Sequence, residues 1–316
     1  MTESLTGVAL CDSFDLVETF GPGFAARAPH LRLLRPAEVE DPGAVDFAVA
    51  FHPAADAFAP YPALRAVFNA GAGVERVIAC PSRPESVPLI RMTDEDQADQ
   101  MAAFALFHVV FWHRRFDRML AAQAEGVWRD PGAAPSPRGF RVGVLGLGFL
   151  GRRIAEAVAG LGYPVRGFSR GPGPKLAEVE RFHGPDRFGA FLDGLDALVS
   201  VLPHTPETEG ALDREAFARM RRGAALINIG RGAHLVEADL VSALDDGLLS
   251  GASLDVLAQE PPPADHPFWA DPRILVTPHV ASDPAPERLA EAVAAGLAAL
   301  AEGRRPEGLV NAARGY

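Results

Sequence analysis

This chain is short of cysteine, of positive charge relative to negative, and of long apolar runs. Its two cysteines, Cys11 and Cys80, match no metal-binding spacing. They could pair with each other, but so few thiols make no disulfide framework and fit a reducing compartment. Lys and Arg number 30 against 41 Asp and Glu, for a formal net charge of −11. That balance disfavours a nucleic-acid partner or an anionic membrane surface, while leaving room for one basic pocket that takes a phosphate. The longest apolar stretches, Met101–Phe107 and Ala292–Ala301, fall far short of the ~20 residues of a membrane span. No basic segment followed by an apolar core opens the chain, so no signal peptide is expected and a cytoplasmic location is the default. Internal repeats and low-complexity tracts are also lacking.

Hydrophobic residues make up 48% of the chain, enough for sizeable cores and too many for a disordered chain. A length of 316 residues is generous for one domain and comfortable for two. Val8–Cys11, Leu31–Leu34, Phe47–Phe51, Ala66–Phe68 and Leu89–Met92 read as strands, punctuated by Gly21-Pro22-Gly23 and Asp41-Pro42-Gly43. Alternating with helix-like stretches, they point to a small α/β unit with a parallel sheet and no glycine fingerprint. Gln97–Gln123 reads as a helix that is apolar nearly all round, which predicts burial on more than one side, between domains or in a dimer interface. Pro131–Pro137 reads as a loop. From Arg141 a second unit begins. Its strand candidates are Val142–Leu145, Val165–Phe168, Ala197–Val201, Ala225–Asn228, Ser253–Val256 and Ile274–Thr277, as a doubly wound sheet requires. After Pro286 a last helix aligns Leu289, Val293, Leu297 and Leu300, a face expected to pack on one of the two units.

Gly146-Leu147-Gly148-Phe149-Leu150-Gly151 follows the first strand of the second unit and leads into a helix-like run. In such a unit Gly146 permits the tight turn, Gly148 lets a pyrophosphate approach the backbone, and Gly151 lets helix lie close on strand. The helix start, at Phe149 and Leu150, offers unpaired N–H groups to the phosphates. Leu150, Ile154, Val158 and Leu161 recur as a helix lying on a sheet requires. The alternative is a Gly-rich strand–helix turn with no ligand. An NAD site places an acid ~20 positions further on. Here Ser169 falls at that place and Arg170 follows. A hydroxyl and a guanidinium suit a 2′-phosphate, so NADPH is expected in preference to NADH, against a solvated surface arginine. Leu202 and Pro203, past the strand candidate Ala197–Val201, join the expected cofactor-binding set. So does Asp255, a strand-end residue that could accept a hydrogen bond from the nicotinamide amide or, alternatively, act as a structural cap.

Arg231, in Asn228-Ile229-Gly230-Arg231-Gly232, follows a strand of the same sheet, where open α/β sheets bind their ligands. There it can hold a carboxylate with two parallel N–H bonds and polarise a neighbouring carbonyl. A structural arginine is the alternative. His279 follows another strand end through Pro278. Reducing a ketone needs a proton donor, and imidazole titrates in the right range. Glu260, before a proline run, is the candidate partner that would raise its pKa and orient the ring. A structural histidine is the alternative; the case for chemistry rests on Arg, Glu and His falling at successive strand ends. His108 and His113 belong to the apolar helix and read as packing residues, and His204 and His234 as bystanders near the cofactor edge. In the first unit, Asn69-Ala70-Gly71-Ala72-Gly73-Val74 could close backbone N–H groups on an anion, or be an ordinary loop.

The order of these motifs, from the Gly-rich turn through Asn-Ile-Gly-Arg-Gly and Leu254-Asp255-Val256…Gln259-Glu260-Pro261 to Thr277-Pro278-His279, resembles the D-2-hydroxyacid dehydrogenases. More narrowly it is similar to their glyoxylate/hydroxypyruvate reductase A branch, with supporting segments at Gly71-Ala72-Gly73-Val74, Trp112-His113-Arg114-Arg115-Phe116-Asp117, Phe168-Ser169-Arg170 and Arg314-Gly315-Tyr316. The resemblance covers nearly the whole chain. It implies two Rossmann-like α/β domains: a flavodoxin-like substrate-binding domain from 1–96 and 284–316, and a dinucleotide-binding domain from 97–283, with the active site in the cleft between them. It implies Arg231 as binder of the substrate carboxylate and carbonyl, His279 as acid, Glu260 as its partner, and backbone contacts to substrate from Ala72 and Gly73. It also implies a homodimer and NADPH-linked reduction of glyoxylate and hydroxypyruvate. No metal is expected. The chain departs from the pattern in two places. Gly171-Pro172-Gly173-Pro174 stands where further basic residues often follow the Ser-Arg, which puts the strength of the NADPH preference in doubt. Ser282-Asp283-Pro284 adds a negative charge after His279, which puts the substrate in doubt. Trp128 reads either as a substrate wall in a neighbouring subunit or as an ordinary core or surface tryptophan. The rival readings are a dehydrogenase for bulkier 2-oxo acids or for NAD, and a non-enzymatic nucleotide sensor resembling the dehydrogenase-like corepressors.

Overall fold

Short runs of Val, Leu, Ile, Phe and Ala, buried on both faces, build two all-parallel sheets, as strands covered on both sides by helices must. The computed structural model describes residues 4–130, 132 and 134–315; Pro131 and Ala133 of the expected loop and the terminal Tyr316 lie outside the described residues. The chain divides into two units, Met1–Glu95 with Pro284–Tyr316, and Asp96–Asp283.

The first unit runs β1 (Leu5–Leu10), α1 (Leu16–Arg27), β2 (Leu31–Leu34), β3 (Phe47–Ala50), β4 (Ala66–Asn69), α2 (Glu75–Ile78) and β5 (Leu89–Arg91). Its strand order is β2-β1-β3-β4-β5, the flavodoxin-like order. Asp15 starts α1 by accepting the Val17 and Glu18 N–H groups at 2.8 and 3.1 Å, satisfying donors a helix start leaves open.

The second unit opens with α3 (Glu95–His113) and α4 (Phe116–Ala124). The single helix expected over Gln97–Gln123 is therefore two. Arg115 breaks it, adopting a left-handed φ of 59° and binding Asp117 through two nitrogens at 3.0 and 2.6 Å. Then follow β6 (Val142–Leu145), α5 (Phe149–Gly160), β7 (Val165–Ser169), β8 (Val179–His183), α6 (Phe188–Leu192), β9 (Ala197–Ser200), α7 (Arg214–Arg219), β10 (Ala224–Asn228), α8 (Glu237–Asp245), β11 (Leu249–Leu254) and β12 (Ile274–Val276). Their order is β12-β11-β10-β9-β6-β7-β8. The chain starts in mid-sheet at β6, builds outward through β7 and β8, and returns to β9 on the other side, which makes the β6/β9 junction the switch point where such sheets bind dinucleotides. The edge strand β8 escapes sequence reading because only Phe182 in it is buried. Leu161 does not join the apolar face of α5. The helix ends at Gly160, and Leu161 is exposed. Trp112 fastens α3 to the sheet: its indole N–H donates to Ser253 Oγ at 2.9 Å, and Gly251 makes room, since a Cβ there would lie 2.2 Å from the ring.

The last helix, α9 (Pro286–Ala301), returns to the first unit and packs on α1. Leu289, Val293 and Leu297 are buried and Leu300 is partly so. The two backbones approach so closely that a Cβ on Gly23 would lie 2.3 Å from the Pro286 carbonyl oxygen.

Candidate active site

The turn after β6 is shaped by what its glycines lack. Gly146 has φ of +107°, a region L side chains rarely adopt. A Cβ on Gly151 would sit 1.7 Å from the Gly146 carbonyl oxygen, so α5 can lie on the turn only as glycine. At Gly148 a Cβ would meet nothing within 4 Å. Gly148 is also the N-cap of α5, and no side chain of the described residues caps that helix. Open space in front of uncapped N–H groups, with half-buried Phe149 and Leu150 in the first turn, fits a pyrophosphate. The Gly146 and Leu147 N–H groups both donate to the Phe168 carbonyl, tying the turn to β7.

At the end of β7, Ser169 Oγ donates to the Gly171 carbonyl at 2.8 Å and accepts from Arg181 Nη2 at 3.1 Å. Arg170 lies 3.5 Å from the Glu207 carboxylate, both groups exposed, so the ion pair contributes little. Leu202 and Pro203 follow β9, half-buried, and the Pro203 carbonyl accepts from Thr208 Oγ1 at 2.8 Å.

Arg231 is held by Asn228, to which the sequence assigns no role, and by His234, expected to be a bystander. Asn228, fully buried at the end of β10, donates from Nδ2 to the Arg231 carbonyl at 3.0 Å and accepts the Gly230 N–H at 3.3 Å. His234, also fully buried, accepts the Arg231 N–H at Nδ1 (3.2 Å) and donates from Nε2 to the Pro203 carbonyl (3.2 Å). That pattern needs the neutral ring. His234 is therefore no bystander: it joins the loop after β9 to the loop after β10 and fixes the backbone from which Arg231 projects.

Glu260 and His279 meet. His279 Nδ1 lies 2.7 Å from Glu260 Oε2, and the other carboxylate oxygen accepts the Leu257 N–H at 3.0 Å. The Glu260 hydrogen bond raises the His279 pKa above its ordinary value, with burial opposing and the Glu260 charge adding to the rise. Burial works to raise the Glu260 pKa, but the bonds from His279 and Leu257 and the charges of His279 and Arg231 hold it below the usual carboxylate value. The Arg231 charge works to lower the pKa of both partners. His108, by contrast, is pushed down to about 4 by burial, against the pull of Asp255, and is neutral at neutral pH.

Asp255 is occupied by the protein itself. Its Oδ1 accepts from Thr277 Oγ1 (2.6 Å) and the Val280 N–H (2.9 Å), and its Oδ2 from the Ala281 N–H (2.9 Å). It is buried, and it shapes the turn in which His279 takes a left-handed φ of 55°. Asp255 therefore fills the structural role of the two expected for it, and Oδ2, with a single donor, keeps room to accept another. Asp283 is exposed, its backbone bonded in both directions to Gln100. Trp128 lies fully on the surface of its unit.

In the first unit, the buried Asn69 at the end of β4 donates from Nδ2 to the Gly71 and Gly73 carbonyls at 2.5 and 2.9 Å. It folds the Gly71–Val74 turn that carries Ala72 and Gly73, as Asn228 folds the Arg231 turn. A cavity of about 460 Å³ opens beside Asp12, His52 and Arg76, where the chain leaves β1 and β3. Ala72 and Gly73 do not line it. No group of three His, Cys, Asp or Glu among the described residues could hold a metal ion, and no helix among them is long and apolar enough to cross a membrane.

Residues 106–281 match the family model for the NAD binding domain of the D-isomer specific 2-hydroxyacid dehydrogenases. The chain is 39% identical over 301 residues to glyoxylate/hydroxypyruvate reductase A of Serratia proteamaculans, covering 93% of this chain and 95% of the relative. Against the protein of the same name from Photorhabdus laumondii it is 38% identical over 300 residues, with the same coverage. Among solved structures, a D-isomer specific 2-hydroxyacid dehydrogenase from Xanthobacter autotrophicus Py2, in complex with NADPH and MES, superposes with a TM-score of 0.94 at 35% identity over 100% of both chains. An NADPH-dependent glyoxylate/hydroxypyruvate reductase from Sinorhizobium meliloti, in complex with NADP and sulfate, gives 0.92 at 32% identity, covering 99% of this chain and 100% of that one. By sequence and by fold, the chain belongs to the D-isomer specific 2-hydroxyacid dehydrogenase family.

Proposed function

We propose that this enzyme reduces a small 2-oxo acid of the glyoxylate/hydroxypyruvate class to the 2-hydroxy acid, with NADPH preferred over NADH. The observation that carries the reading is the 2.7 Å bond between His279 and Glu260, in the sheet whose strand β10 leads into Arg231. NADPH, when bound, supplies the hydride that adds to the keto carbon. Gly148 and the start of α5 hold its pyrophosphate, and Ser169 with Arg170 its 2′-phosphate. Arg231 pairs with the substrate carboxylate and polarises the carbonyl oxygen as charge develops there. His279 turns Nδ1 to Glu260 and gives the proton on Nε2 to that oxygen, the carboxylate stabilising the imidazolium before transfer. Ala72 and Gly73 of the first unit supply backbone N–H groups to the substrate, which makes that unit the substrate-binding domain and the second the dinucleotide-binding one. The names of the relatives and the NADP complexes of the solved neighbours support the same reading.

We also propose that the enzyme works in the cytoplasm as a homodimer. On α3 and α4 the second unit exposes Phe107, Phe116 and Leu120, with Val127 and Trp128 just beyond, an apolar group of the kind that marks an interface. The deciding experiment is NADPH consumption with glyoxylate, hydroxypyruvate, pyruvate and phenylpyruvate, repeated with NADH. Turnover fastest with one of the first two and with NADPH is expected. No turnover with any of the four sinks the reading.

A further inference from the structure

The ribose end of the nucleotide site contains a second guanidinium, from a strand that no sequence motif marks. In the β7–β8 pair, Gly167 lies opposite Arg181, and Ser169 opposite His183. Directly paired residues of parallel strands project to the same face of the sheet. That face is the one the glycine turn covers, since a Cβ on Gly167 would lie 2.5 Å from the Leu147 side chain. Arg181 therefore rises on the nucleotide side of the sheet and reaches the end of β7. There its Nη2 donates to Ser169 Oγ at 3.1 Å, and its Nη1 donates to the Pro174 carbonyl. The Gly171–Pro174 segment passes directly over the guanidinium: a Cβ on Gly173 would lie 2.7 Å from Arg181 Nη2. Glycine there permits the approach, and the two prolines restrict the segment that makes it.

We propose that Arg181 is a specificity-determining residue, the second arginine of the site for the NADPH 2′-phosphate, placed by Ser169 and by the segment folded over it. The inference rests on the proposed NADPH preference and deepens it. A 2′-phosphate brings close to two negative charges and three strong acceptor oxygens at neutral pH. Arg170 supplies one exposed guanidinium toward that load, beside the Glu207 carboxylate. Arg181 adds a planar fork whose remaining donors can meet phosphate oxygens on the far side of Ser169. A ribose 2′-hydroxyl offers no charge for this fork, so Arg181 separates NADPH from NADH without touching the nicotinamide chemistry.

Calorimetry on the full chain with adenosine 2′,5′-bisphosphate and with adenosine 5′-monophosphate tests this independently of turnover. In the wild type the bisphosphate should bind far more tightly. Arg181→Gln should weaken bisphosphate binding about tenfold or more, as loss of a charge-assisted bond requires, and change monophosphate binding less than about twofold. Arg181→Lys, which keeps the charge but not the fork, should fall between. NADPH and NADH titrations followed by nicotinamide fluorescence should show the same ratio change. A wild type that binds both adenosine phosphates equally overturns the NADPH preference itself. A wild type that prefers the bisphosphate, with a ratio that survives Arg181→Gln, overturns the role of Arg181 alone. Equal weakening of both ligands does so too, because it marks a residue that only supports the loop.

Discussion

His279 combines a left-handed backbone, a short bond to Glu260 and a half-exposed ring. Such backbone strain persists only where the surroundings hold it, and here the surroundings are Asp255 and Glu260. If His279 is the proton donor, His279→Ala should cut turnover by ~10²–10⁴. Steady-state kinetics near wild type would remove it from the role. The pH dependence has a definite sign. Reduction needs the protonated ring, and the Glu260 bond raises the pKa, so kcat/KM for reduction should be highest at low pH and fall as pH rises through that raised value. Glu260→Gln removes the largest cause of the rise, so the midpoint of the pH profile should move to lower pH. A midpoint that stays in place would separate the two residues. His108 cannot substitute, since burial holds it at about 4.

At the scale of elements, the candidate turns of each unit are fixed by a buried polar side chain at or just past the end of a strand. Asn69 follows this rule after β4, Asn228 after β10 and Asp255 after β11. Loops that carry function need such anchors, because a polypeptide turn has few apolar contacts of its own. Asp255→Asn replaces one acceptor oxygen by a donor and leaves at least one of Thr277, Val280 and Ala281 unmatched. Denaturant unfolding should show a loss of ~1–3 kcal/mol, and unchanged stability would mean that the 277–281 turn holds itself. Gly151→Ala should be worse for binding than for folding alone. Its Cβ cannot fit beside the Gly146 carbonyl, so α5 must shift and NADPH affinity should drop in a fluorescence titration.

At the scale of the molecule, the feature to test is the apolar surface of α3 and α4. Phe107 and Trp128 are 58% and 102% exposed, and contiguous exposed apolar patches mark interfaces. Sedimentation should show a dimer, and Phe107→Glu with Leu120→Glu should yield a folded monomer. A monomeric wild type would leave the surface to another partner.

Much of this was legible in the sequence. Helix and strand periods, the glycine spacing at 146–151 and the placing of Arg231, Glu260 and His279 near strand ends are local patterns, and local patterns survive without a structure. The long apolar helix was misread at Arg115, where a left-handed residue ends one helix and starts another without a glycine or proline to announce it. Strand β8 was invisible because an edge strand with one buried residue has no period to detect. The sequence by itself determined the two α/β units, the glycine turn and the residue types available for chemistry. Only the tertiary structure decided that His279 bonds Glu260, that His234 holds Arg231, that Asp255 serves the turn around His279 and that Arg181 reaches Ser169. Each of those pairings joins residues from different turns or strands, and strand register and side-chain direction set them rather than spacing along the chain.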